Sequence, residues 1–216
     1  MNRPRVIINC AMSADGKIAS PTRRQMRISS EEDIKRMYEL RSQCDAVLVG
    51  VETVLADDPK LTVKDSYVNH PRQPLRVILD TKARTPEHAL VLNDAAKTLI
   101  ITGKGKKKSY NKSHIEVIGC KTQDNGLIDL NCALDLLYKK DVHTLLVEGG
   151  GTIIWNFLKN KVVDDLFVFI GPYIIGGKYT PTLANGEGIT DNQILPLKIC
   201  EVKRIGCGVL IHYQPL

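Results

Sequence analysis

Five short apolar runs recur along the first three quarters of the chain: RVIINC (5–10), DAVLVG (45–50), LRVILD (75–80), KTLIIT (97–102) and HTLLVEG (143–149). Each is nearly continuous in Val, Ile and Leu, the pattern of strands buried on both faces rather than on one. The segments between them carry helical spacing. Over 30–44, Ser29-Ser30-Glu31-Glu32 supplies a capping serine with a glutamate three residues on, and Ile34, Met37, Tyr38, Leu40 and Arg41 keep the helical period. Further helices are expected over 51–56, 130–140 and 151–160. Strand alternating with helix leaves little freedom: the sheet must be largely parallel, with helices on both faces.

The last quarter changes character. DDLFVFIGPYIIGG (164–177), LKICEVKRIG (197–206) and GVLIHYQ (208–214) read as strands with no helix between them, the last two joined tightly at GCG. They are expected as antiparallel additions at one edge of the sheet. With 216 residues, 43% of them hydrophobic, and no linker or repeat, a single domain spanning 1–216 is expected.

Composition excludes several classes of function. The six cysteines at 10, 44, 120, 132, 200 and 207 contain no C-x-x-C spacing, and the five histidines are scattered, so no metal site is expected and the thiols read as reduced and mostly buried. No apolar run approaches the roughly 18 residues of a membrane span, and the N-terminus lacks the sections of a signal peptide. A cytoplasmic protein without membrane association is the expectation. Of the net charge of +6, the window 102–121 holds six lysines against Glu116, a local +5. One basic loop (Lys104–Lys108 and its surroundings) is not a broad nucleic-acid-binding face, and aromatics for stacking on single strands are few at 5%. It reads as a solvated loop, and no nucleic-acid partner is expected.

Three strand ends carry groups suited to a ligand. In LLVEGGGTIIWNF (145–157) a strand runs onto three consecutive glycines and into a helix. Such a turn presents backbone N–H groups and a positive dipole end with no Cβ in the way, although a tight turn with no ligand would look the same. In VGVETVLADDPKLTV (49–63) a glycine ends a strand before a short helix, where Asp57 and Asp58 could equally be helix-terminating residues. In LDTKAR (79–84) polar side chains stand at a strand tip. Open α/β sheets place ligands outside such carboxyl ends. MSADGKIA (12–19) adds a polar turn after the first strand.

Taken together, MSADGKIA, RIS, VGVETVLADDPKLTV, PLRVILDTKAR, VEGGGT and GPYIIGGK…TP…GEG resemble the riboflavin-biosynthesis reductase family, over about residues 5 to 210. Both the stand-alone archaeal and fungal type and the reductase half of the bacterial deaminase–reductase share these blocks. The zinc-binding signatures of the deaminase half are absent, so the resemblance implies reduction alone. It implies a dihydrofolate-reductase-like α/β fold: a mixed, mostly parallel central sheet with antiparallel C-terminal edge strands and flanking helices. It also implies a homodimer and NADPH as hydride donor, with NADH an alternative because Asp80 would suit a ribose 2′-hydroxyl as Lys82 and Arg84 would suit a 2′-phosphate. The implied reaction converts the ribosylamino side chain of 2,5-diamino-6-ribosylamino-4(3H)-pyrimidinone 5′-phosphate to a ribitylamino chain.

Carried over position by position, the resemblance puts the cofactor against Thr53, Asp57, Leu79, Asp80, Thr81, Lys82, Gly149, Gly150, Gly151 and Thr152. It puts the substrate against Asn9, Arg27, Arg41, Leu61, Lys64 and Glu148. Arg41 and Lys64 would grip the 5′-phosphate. Asn9 stands where bacterial members often carry lysine, and so cannot supply that lysine's proton. Glu148 is the candidate catalytic carboxylate, able to stabilise iminium character, orient hydroxyls or carry a proton. Two other readings remain open on the residues alone: a pterin- or folate-type reductase of the same fold, and a non-catalytic nucleotide-binding module.

Overall fold

The computed structural model describes residues 2–106, 108–190 and 194–216. Lys107, within the lysine-rich loop, therefore lies outside the described residues. The chain forms two compact units, Met1–Arg5 with Tyr38–Leu146, and Val6–Met37 with Val147–Leu216. Among the described residues, nine strands pair into a mixed sheet in the order β5-β4-β3-β2-β6-β1-β7-β9-β8, with four α-helices along the chain.

In the first unit, β2 (Ala46–Gly50), β3 (Leu75–Leu79), β4 (Thr98–Gly103) and β5 (Ile115–Cys120) pair in parallel, each with the next. All residues of β2 and β4 are buried, as their unbroken apolar runs predict. β5 was not expected from the sequence. As an edge strand it buries Cys120 alone and exposes Glu116 and Gly119, so it lacks the apolar run that marks its neighbours. Helix α2 (Val51–Asp57) follows β2 directly. Helix α3 (Leu130–Tyr138) is capped by Asp129, whose carboxylate accepts from the amide of Cys132 at 3.0 Å, and it buries Leu130, Ala133, Leu134 and Leu137. The fully buried Arg76 donates to the carbonyls of Asn93 and Ala96 and to the Asn93 side chain, tying down the chain between β3 and β4. Burial pulls its pKa down to about 10.

In the second unit, β1 (Arg5–Ser13) pairs in parallel with β7 (Asp165–Gly171), from Ile7 opposite Asp165 to Ser13 opposite Gly171. The sequence grouped 164–177 with the antiparallel strands. The structure makes β7 parallel to β1 and ends it at Gly171, before Pro172, a residue without an amide hydrogen for the ladder. The two later strands do run antiparallel: β9 (Gly208–Pro215) on β7, and β8 (Leu197–Ile205) on β9. Gly206, at φ +54°, turns the β8–β9 hairpin so close to Ser30 and Glu32 that a side chain there would collide with both. β6 (Thr144–Gly149) leads into α4 (Gly151–Lys159), which buries Ile154 and Phe157.

Helix α1 (Glu31–Gln43) starts at Ser30, whose hydroxyl accepts from the Asp33 amide at 3.3 Å. The residue three positions past the cap is thus Asp33 rather than a glutamate. The buried residues of α1 are Asp33 and Tyr38, while the apolar Ile34 and Leu40 remain half-buried. This polar burial belongs to the candidate sites below.

Candidate functional site

Within the second unit, β6 delivers Glu148 and then the glycine turn. Gly149 adopts φ +114°, a conformation closed to ordinary side chains, and Gly150 stands at the N-cap position of α4 with no side chain capping the helix. The first amides of α4 therefore lack the usual hydroxyl or carboxylate partner, the arrangement that receives phosphate at a helix N-terminus. Gly151 is glycine for a different reason. A Cβ there would strike the carbonyl oxygen of Thr182 and come within 3.1 Å of the Asn185 Cβ, while the Asn185 amide donates to the Gly151 carbonyl at 3.1 Å. The third glycine thus accommodates the protein's own 182–185 segment, leaving Gly149 and Gly150 as the open part of the turn. Thr152, next in α4, is exposed.

Glu148 is half-buried, and its charge helps to raise the neighbouring Cys10 thiol. Burial is the main cause, Asp33 the next and Glu148 the third; together they push Cys10 up to about 12, so this thiol stays protonated and chemically quiet. Beside it on β1, Asn9 is buried, and its side-chain oxygen accepts from the Arg36 guanidinium at 2.6 Å. Arg36 in turn is held by Asp33 through bonds of 2.9 and 2.7 Å. The Arg36–Asp33 pair was not identified from the sequence, although its i,i+3 spacing on a helix was available as a signal. With Asn9 Oδ1 engaged, the amide hydrogens are the donors that Asn9 retains for a ligand. Arg27 is exposed and paired with Glu31 at 2.8 Å, a surface interaction of small energy.

Within the first unit, two groups of candidate residues assemble. At the tip of β3, Leu79 is buried and Asp80 is fully buried. One Asp80 oxygen accepts from both the amide and the hydroxyl of Thr85 at 2.7 Å; the other is buried with no hydrogen-bond partner. Through Thr85 this carboxylate holds the turn it stands in. The Thr81 carbonyl accepts from the Gly103 amide at 3.1 Å, and a Cβ on Gly103 would lie 2.9 Å from that carbonyl. Lys82 and Lys104, which follow these two residues, are both exposed. Arg84 is engaged by Glu52 at 2.6 Å. Thr53 and Asp57 are half-buried in the first and last turns of α2, and Asp58 terminates that helix in the left-handed conformation while its carboxylate accepts from the Leu90 amide at 2.7 Å.

The second group gathers on Tyr38. The Arg41 guanidinium donates to the Thr62 carbonyl at 2.9 Å, and its carbon lies 5.4 Å from the Tyr38 ring centre. The Lys64 ammonium lies 5.5 Å from the same centre. Leu61, buried at φ +52°, turns the chain between them, and Gln73 clamps Val63 by bonds of 2.8 Å to both its amide and its carbonyl. Arg41, Leu61 and Lys64, separated in sequence, thus share one locality. Tyr38 and Tyr67, stacked at 4.7 Å, were not identified as site residues: at helical spacing Tyr38 reads as a core position, and Tyr67 lies in a turn outside the motifs.

Among the described residues, no helix is long and apolar enough to cross a membrane and no group of three or more His, Cys, Asp or Glu converges for a metal. Comparison with known proteins matches residues 4–211 to the RibD C-terminal domain. The chain is 42% identical over 215 residues to a protein of Methanothermobacter thermautotrophicus and 38% identical over 216 residues to one of Archaeoglobus fulgidus. Both are named 2,5-diamino-6-ribosylamino-4(3H)-pyrimidinone 5′-phosphate reductase, and the alignments cover 98% of each chain in the first case and 97% in the second. Among solved structures, the diaminohydroxyphosphoribosylaminopyrimidine deaminase/5-amino-6-(5-phosphoribosylamino)uracil reductase of Thermotoga maritima superposes with a TM-score of 0.83 at 28% identity. That match covers 99% of this chain and 57% of the Thermotoga protein, so this chain corresponds to a little over half of it.

Proposed function

The chain belongs to the RibD C-terminal domain family, and from that premise we propose that it reduces the ribosylamino side chain of 2,5-diamino-6-ribosylamino-4(3H)-pyrimidinone 5′-phosphate to a ribitylamino chain in riboflavin biosynthesis. The observation that carries the proposal is the end-to-end match to two archaeal reductases that consist of this region alone. The family match over residues 4–211 runs through both compact units, which supports a single reductase domain over 1–216.

NADPH is the proposed cofactor, and when bound it supplies the hydride. The residues fit a dinucleotide: Gly149 and Gly150 keep side chains away from the uncapped start of α4, where the amides of Gly151 and Thr152 would receive phosphate. Leu79, Thr81 and Lys82 at the end of β3 would border the adenosine, with Thr53 and Asp57 on α2. Lys82 and Lys104 are the cations offered for a 2′-phosphate, since Arg84 is committed to Glu52 and Asp80 to Thr85. Arg41 and Lys64 would hold the 5′-phosphate of the substrate, with Leu61 beside them. Asn9 would donate to a sugar hydroxyl from its amide, its oxygen being occupied by Arg36. Glu148 would orient the opened pentose or carry a proton during imine formation. Arg27, exposed and paired with Glu31, has the weakest structural support among the substrate residues.

Two further parts of the proposal concern setting. A homodimer is supported by β8, whose Ile199 and Val202 are 59% and 61% exposed on the strand at the edge of the sheet. A cytoplasmic location is supported by cysteines that are all free, as in a reducing compartment.

The direct test is to incubate the purified protein with the ribosylaminopyrimidine phosphate and NADPH. Nicotinamide absorbance is expected to fall and the product to gain two hydrogens in mass; an unchanged substrate overturns the proposal. Replacing Lys82 and Lys104 by alanine is expected to raise KM for NADPH by about tenfold and leave KM for NADH in place, the loss of a charge-assisted contact being worth a factor of that order.

A further inference from the structure

We infer that Arg36 is a positioning residue: held by Asp33, it turns the side-chain amide of Asn9 so that this position can only donate a hydrogen bond to a ligand, and it bars a cation from taking the place of Asn9. The ligand is then met here at a neutral acceptor oxygen, a hydroxyl or a carbonyl. The inference rests on the proposed function for the reaction that reads it out, but not for the orientation of the amide.

An asparagine side chain offers an acceptor oxygen on one side and two donor hydrogens on the other, and a half-turn about its last bond exchanges them. The group that grips one side decides the orientation. Here Nη2 of Arg36 stands 2.6 Å from Oδ1 of Asn9. A guanidinium has donors only, so the reversed amide would set N–H against N–H and forfeit a charge-assisted bond. Asn9 is itself buried, which leaves little water to take the place of Arg36 at the oxygen.

Arg36 is fixed in turn. Its Nε and Nη2 donate to the same Asp33 oxygen at 2.9 and 2.7 Å, so the two hydrogens of Nη2 are divided between Asp33 and Asn9. Asp33 is buried and lies three positions before Arg36 on α1, so the helix itself sets the pair. The ring of Phe167, the residue opposite Asn9 in the β1–β7 ladder, lies 5.9 Å from the guanidinium carbon. One helix and two strands of the same unit thus hold the three polar groups in order. A cation at position 9 would meet the guanidinium at close range, with one carboxylate shared by two positive charges, and burial makes that repulsion costly. Asparagine with arginine behind it therefore acts as a unit: a neutral amide reaches the ligand, and any proton the chemistry needs comes from another group.

The test is a double-mutant cycle on kcat/KM for the ribosylaminopyrimidine phosphate, with Asn9→Ala, Arg36→Met and both together. Each single variant is expected to lower kcat/KM about tenfold, the worth of one oriented polar contact, while KM for NADPH stays in place. Because Arg36 acts through Asn9, the double variant is expected to be no worse than Asn9→Ala by more than about twofold. Losses that multiply to about a hundredfold overturn the inference. Arg36→Lys, which keeps a donor for Oδ1 of Asn9, is expected to recover most of the loss, and failure to do so counts equally against it. Should Arg36→Met not fold because Asp33 loses its cation, Arg36→Met with Asp33→Leu takes its place in the cycle. Thermal unfolding gives a readout independent of turnover. Asn9→Lys is expected to lower Tm by about 5 °C, and Asn9→Lys with Arg36→Met to restore it, because the repulsion is gone and Asp33 again has a cation. A Tm unchanged by Asn9→Lys, or equally low when Arg36→Met is added, overturns the inference. The expected Tm pattern in a protein that leaves the ribosylaminopyrimidine untouched would keep the inference and sink the proposed reaction. Normal turnover with multiplying losses would do the reverse.

Discussion

A methyl group added at Gly151 would meet the carbonyl oxygen of Thr182, which is backbone and cannot swing aside. Gly151→Ala is therefore expected to destabilise the protein by about 1–3 kcal/mol, the usual cost of forcing atoms into a filled space. Urea unfolding measures this, and an unchanged midpoint would mean that the 182–185 segment lies elsewhere in solution. Glu148 is a different case, since its value lies in chemistry. Glu148→Gln keeps the shape and removes the charge, and turnover is expected to fall about a hundredfold or more if the carboxylate handles a proton. Steady-state kinetics decide this, and full turnover removes Glu148 from the reaction. The glycine run was legible in the sequence as a strand-to-helix turn without side chains. That its third member serves a later loop was not, because nothing local to VEGGGT encodes Thr182 or Asn185.

At the scale of elements, α3 shows how a single side chain supports a helix. Asp129→Ala is expected to cost about 1 kcal/mol through loss of the N-cap. The bond from the Cys132 amide, with smaller help from Lys121, holds the Asp129 carboxyl below the usual aspartate range. A depressed native pKa means that the unfolded chain takes up the proton first as pH falls. The stabilisation is then complete above the ordinary aspartate pKa of about 4 and fades as pH drops through the lower native value. The stability gap between natural and Asp129→Ala protein should therefore close on acidification, as read by unfolding at a series of pH values. Asp15 obeys the same sign. Held down to about 2 by the Ser13 hydroxyl and the amides of Ile175 and Gly176, it should release the 175–176 loop only in strong acid. The buried strands β2, β3 and β4 were legible because burial on both faces writes an unbroken apolar run. β5 was not, since an exposed edge strand needs no such run. The direction of β7 was not legible either, because its residues suit a parallel or an antiparallel partner equally.

At the scale of the whole molecule, the proposed homodimer gives a measurable consequence. Ile199→Lys with Val202→Lys places two charges on the exposed edge strand β8 and is expected to yield a monomer in sedimentation, with the natural protein twice its mass. A natural protein that already sediments as a monomer would overturn the proposal. The sequence by itself determined the alternation of strands and helices, the turn chemistry at the strand ends and the family, because periodicity, glycine and local polarity are properties of neighbouring residues. Only the tertiary structure decided that Arg36 takes the oxygen of Asn9 from 27 positions away, that Asp80 turns inward to Thr85, and that Arg41 and Lys64 share the ring of Tyr38. The physical reason is that a hydrogen bond or a ring contact depends on where two side chains meet in space. A linear pattern records that each residue is buried or polar, but not which partner satisfies it.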